Sequence, residues 1–132
     1  MKSLLLFFAL LGALTLSSSL LSTSTAANVG QKQSALTRFD QPVRLQGVVL
    51  KGEYLFVHDN AAMMRGEACT FVYKGAAEVA RNLVVSFHCI PSERTKAAYF
   101  RVRTVESSPG IFEVLDFQFA GDTEAHSVPP AK

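Results

Sequence analysis

From Pro42 to Ala120 apolar side chains recur at every second position in short runs, and turn-forming residues separate the runs. Two is the strand period, because successive side chains leave an extended backbone on opposite faces. "PVRLQGVVL" alternates at Val43, Leu45, Gly47 and Val49, and "GEYLFVH" sets Leu55 and Val57 on one side with Tyr54, Phe56 and His58 on the other. "ACTFVY", "LVVSFHC", "AAYFRVRTV" and "GIFEVLDFQFA" carry the β-branched and aromatic residues that pleated surfaces favour. Turn signals stand at Lys51-Gly52, Asp59-Asn60, Lys74-Gly75, Pro91-Ser92 and Ser108-Pro109-Gly110. "NAAMMRGE" and "GAAEVARN" have room for about two helical turns at most, so they read as connections.

The expectation is an all-β domain, an antiparallel β-sandwich of about six to seven strands; a small closed barrel of the OB type needs the same alternation and is the alternative. With 132 residues, one domain is the natural count. Residues 28–41, "NVGQKQSALTRFDQ", lack an evident period and read as a flexible lead-in to a domain over 42–121. Residues 122–132, with a double proline, read as a polar tail.

Ahead of the lead-in stands the layout of a secretory signal peptide. Lys2 supplies the charged start, Leu4 to Leu16 are 13 uncharged apolar residues, and small residues suited to cleavage follow up to Ala27. Thirteen helical residues fall short of a bilayer core of about 30 Å. The expected location is therefore secreted or periplasmic, with residues 1–27 removed and no stable membrane anchor left behind. The remainder carries a formal net charge of +1, since only Lys2 is lost from 13 basic and 11 acidic residues. That balance offers no basic footprint for nucleic acid.

An exported chain with two cysteines reads first as a disulfide-bonded one. Cys69 and Cys89 both lie at apolar strand positions, and a bond between them closes a loop worth ~3 kcal/mol in the chain-entropy treatment. Alternation along "VVSFHCIP" then turns His88 away from the side that Cys89 faces.

The competing chemistry is a transition-metal site. Its candidate donors are His58, Met63, Met64, Cys69, His88, Cys89 and His126, and a ligand set of His58 and His88 with Met63 or Met64 suits copper. Spacing gives no support: a cupredoxin's ligand loop runs Cys, His, Met in a short span, and "IPSERTKAAYF" after Cys89 has neither His nor Met. Zinc-type C-x₂₋₄-C pairs are absent too. Nothing in the pattern calls for a catalytic residue or a cofactor, since no nucleophile elbow appears and the carboxylates are scattered. Tyr99, Arg101 and Arg103 form a candidate strip for an anionic partner, beside the plainer reading of a wet sheet face.

At "VVLKGEYLFVHDN" the chain resembles small secreted bacterial proteins, frequent among acidobacteria and their relatives, whose first hairpin carries a Gly-Glu-Tyr element. Leu50, Gly52, Glu53 and Tyr54 match, and Lys51 departs from the motif. "RGEACTFVY", "VVSFHCIP" and "FQFAGDTEAHSVP" resemble further blocks of one uncharacterised family, over about residues 42–129. The resemblance implies export and a β fold and no activity. The sequence thus leads to a non-enzymatic exported β domain with a structural or surface-binding role, partnered by an envelope protein or a glycan. A periplasmic copper or transition-metal binder is the alternative.

Overall fold

The computed structural model describes residues 31–132. Residues 1–27, where a signal peptide is expected, and the first residues of the expected lead-in lie outside them. The described chain is mostly β: β1 (Lys32–Leu45), β2 (Val48–Asp59), a short helix α1 (Asn60–Met64), β3 (Thr70–Lys74), a 3-10 turn (Ala80–Asn82), β4 (Leu83–Phe87), β5 (Ile90–Glu93), β6 (Arg101–Ser108), β7 (Ile111–Gln118) and β8 (Glu124–Ser127). Both short helical pieces fall in the two intervals the sequence reserves for them.

The strands form one eight-stranded sheet in the order β4-β3-β2-β1-β7-β8-β5, with β6 paired to β7. It is curled into a half-barrel, and it is mixed, not antiparallel, because β1 runs parallel to β7 at Val43–Phe112 and Arg44–Glu113. The expected β fold is present, the expected antiparallel sheet is corrected to a mixed one, and the half-barrel is not clearly a sandwich. The cause lies in β1 and β2, 14 and 12 residues long. Their pairing slips between Phe39 and Val43, opposite Gly52 at φ 92°. Such irregularities bend a strand and sharpen its twist, so one long sheet folds over its own core without a second layer. Pro42, which has no N–H to give, sits inside that slip.

Two of the expected turns are therefore not turns. Lys51-Gly52 lies within β2 at the irregularity, and Pro91-Ser92 lies within β5. A turn the alternation hides is Gln46-Gly47, where φ is 51° and 79°. Two successive positive φ values are what a two-residue hairpin of the primed type needs. "PVRLQGVVL" is thus a strand end, a turn and a strand start.

Both domain boundaries also move. Lys32 to Phe39 pairs with Gly52 to Asp59, so most of the expected lead-in is half of the longest hairpin. Glu124–Ser127 pairs with β5 and touches β7, so the expected tail contributes a strand. Inside the curl, Phe56, Phe100, Phe117 and Phe119 pack with ring centroids 5.2–6.4 Å apart. Leu45, Leu50, Val72 and Val114 complete the apolar floor.

Candidate metal centre

The inner side of β2 carries Tyr54, Phe56 and His58, all buried. His58 pairs across the ladder with Thr70, the first residue of β3. Cys69 precedes that strand: its carbonyl accepts from Asp59 N at 2.8 Å, and its own N–H donates to the Phe87 carbonyl at 3.1 Å. Cys89 follows β4, where the chain leaves one part of the sheet for β5. Opposite β5 runs β8, which delivers His126 against Phe117 with rings stacked at 5.1 Å. Helix α1, capped where Asp59 Oδ1 accepts from Ala62 N, brings in Met63. Residues scattered through the sequence therefore meet at the joint between β2-β3-β4 and β5-β8.

The sulfurs of Cys69 and Cys89 stand 3.0 Å apart as free thiols, both fully buried. One ligand atom each from His58, Cys69 and Cys89 lies within 4.8 Å of the others. Nδ1 of His126 is 3.5 Å from Cys89 Sγ, and Met63 Sδ is 3.8 Å from the same sulfur. His58 and His126 lie ring to ring at 4.0 Å.

Hydrogen bonding around these groups is incomplete. Among the described residues, the buried side-chain nitrogens and oxygens without a partner are both nitrogens of His58, Nε2 of His126 and Oγ1 of Thr70. Each such atom left dry and unpaired costs ~1–3 kcal/mol. Buried polar groups in folded proteins are otherwise nearly always paired, and here the exceptions share one spot.

The thiols divide their proton unequally. Cys69 is held well below an ordinary thiol pKa, chiefly because it accepts the hydrogen bond from Cys89, and this outweighs burial; the Cys89 backbone N–H, 3.2 Å from the sulfur, adds to it. Cys89 is pushed up, first by sharing that proton and then by burial. Burial drives His126 down to about 3, assisted by the neighbouring His58, so it is a neutral imidazole with a lone pair to offer. Two free cysteine sulfurs, the neutral imidazole of His126 and the ring of His58 beside them are donor types that zinc and copper take.

Of the donors named from sequence, His58 is in the centre and Met63 at its margin. Met64 is 68% exposed. His88 is exposed and lies on the flank; its Nδ1 donates to the Glu67 carbonyl at 2.8 Å and lies 3.9 Å from Cys69 Sγ. His88 thus stands on the flank of the cysteine pair, on the side away from His58 and His126, just past the end of β4. His126, one of the candidate donors but outside that narrower set, is carried to the centre by β8, a strand that the composition of "EAHS" does not announce. The cysteines face inward together, as the alternation implies, without a bond between them.

The candidate anionic strip is taken up internally. Arg103 binds the buried Asp116 in a two-pronged pair, with Nε 2.9 Å from Oδ1, and Arg94 approaches the same carboxylate at 3.6 Å. Arg101 donates to Gln118 Oε1 at 2.9 and 2.5 Å. Tyr99 is 71% exposed and stands before the strand. No helix among the described residues is long and apolar enough to cross a membrane. No family model matches the chain, and neither a curated protein nor a solved structure is significantly similar to it.

Proposed function

We propose that this protein binds one transition-metal ion of the soft-to-borderline class, held by Cys69, Cys89 and His58, with His126 as fourth donor or as support. A single observation carries the reading: the buried polar atoms that lack partners converge on a cysteine pair. A metal ion at their focus would take one nitrogen from each imidazole it meets and remove the cost of leaving that nitrogen dry. Two thiolates on one tetrahedral ion sit ~3.8 Å apart given metal–sulfur bonds of about 2.3 Å. The sulfurs, at 3.0 Å, need to part by less than one ångström. Export, supported by the signal-like leader, belongs to the same proposal and would make this a periplasmic or secreted metal-handling protein.

The test is an anaerobic titration of the reduced full chain with zinc(II) and with copper(I), read against a chromogenic chelator. Stoichiometric uptake, lost on His58→Ala and on Cys69→Ser, supports the reading. Uptake that survives both substitutions, or none at all, defeats it.

The second reading is a disulfide-stapled exported domain acting through its surface. It is favoured by the same 3.0 Å approach, since closing to a bond of about 2.05 Å needs a movement of about the same size as the opening does. Thiol counting on the protein recovered from the export compartment decides whether the sulfurs are joined there.

A further inference from the structure

We propose that the Met63 thioether is a further ligand of this centre and makes it selective for univalent copper over zinc. The inference rests on the metal-binding reading and adds to it the identity of the ion and its way in. A cavity of about 370 Å³ opens beside α1, with His58, His126, Met63, Met64, Asp122 and Glu124 among its walls. Both imidazoles are 1% exposed, so they form its floor, while Met64 stands at the solvent side. An ion entering by this cavity therefore passes thioether and carboxylate before it meets imidazole.

Met63 marks the inner end of that path. Its sulfur is 3.8 Å from Cys89 Sγ, and its side chain packs half-buried against the core cluster. Zinc takes thiolate, imidazole and carboxylate, and thioether adds little to it. Univalent copper is soft, and thiolate with thioether is the pairing that selects it. The short helix sets this sulfur in place: Asp59 caps it, and Ala62 is buried on the side that anchors it. A methionine serving only as core filler would need no sulfur partner and no cavity behind it.

The experiment compares wild type with Met63→Leu, a nearly volume-conserving change, in the reduced full chain. Silver(I) serves as the redox-inert univalent probe and zinc(II) as the divalent one, both by chelator competition. The expected result is a loss of at least about tenfold in silver affinity with zinc affinity changed by less than about twofold. Retained zinc binding also shows that the variant is folded. Equal losses for both ions, or unchanged silver affinity, overturn the assignment of Met63 while leaving the metal centre standing. Failure of the wild type to bind either ion overturns the centre and this inference together.

Discussion

His58 on β2 and His126 on β8 lie with ring centroids 4.0 Å apart, and three of their four ring nitrogens have no hydrogen-bond partner. Two imidazoles placed so are a poor solution for stability alone. Replacing His58 by Leu removes two unpaired nitrogens and keeps most of the volume. The metal-free variant should gain ~1–2 kcal/mol in urea unfolding while losing metal affinity. A metal-free variant less stable than wild type would mean that His58 has a structural role the unpaired nitrogens conceal.

The cysteine pair has two outlets. In the metal-free protein, oxidised glutathione should convert the two thiols into one disulfide, releasing two equivalents of reduced glutathione and adding ~3 kcal/mol of stability. Metal-loaded protein should resist the same treatment, because both sulfurs are occupied. Thiol counts before and after exposure, with and without metal, give the comparison. Equal oxidation rates in both forms would contradict it.

Asp116 predicts a pH dependence independent of the centre. Burial acts to raise its pKa, but the hydrogen bond and charge of Arg103, with Arg94 nearby, hold it below the ordinary carboxylate value. The unfolded chain then takes up the proton first as pH falls. The contribution is complete above about pH 4, the unfolded value, and drains away as pH drops through the native one. Asp116→Asn should flatten this limb of the stability curve and cost ~1–3 kcal/mol at neutral pH. An unchanged acid limb would show that the arginines do not perturb the carboxyl.

Much of the fold was legible because β2, β3, β4, β6 and β7 announce themselves by aromatic and β-branched alternation. The first half of β1 does not. Its inward set is Gln33, Ala35, Thr37 and Phe39, half polar, while Leu36 on the outer side is 47% exposed, so hydrophobicity shows no period. β8 is four residues of which only Ala125 is apolar, and pairing with β5 and β7 makes it a strand. The site shared that fate. Its donor types were readable, but their convergence depends on the bend at Gly52 and on β8 joining the sheet. Only tertiary structure sets those.

The moved boundary is itself testable. Deleting residues 28–41 should abolish cooperative unfolding, since it strips the hydrogen-bonded neighbour from Gly52 to Asp59 and with it the strand that holds His58. A flexible lead-in could be removed with an effect below about 0.5 kcal/mol. Circular dichroism through a urea series separates the two outcomes.

Gly47, at φ 79° in the β1–β2 turn, has open space where a Cβ would go, so Gly47→Ala isolates backbone strain from crowding. The expected cost is about 1–2 kcal/mol. A neutral substitution there would remove the primed turn from the account.

X-ray absorption on the metal-loaded, reduced protein tests the centre most directly. The account predicts two or three sulfur scatterers at about 2.3 Å together with imidazole nitrogen at about 2.0 Å, the sulfur signal reduced in Cys89→Ser. A first shell of oxygen and nitrogen alone would place the ion elsewhere on the protein and contradict the centre built here from His58, Cys69 and Cys89.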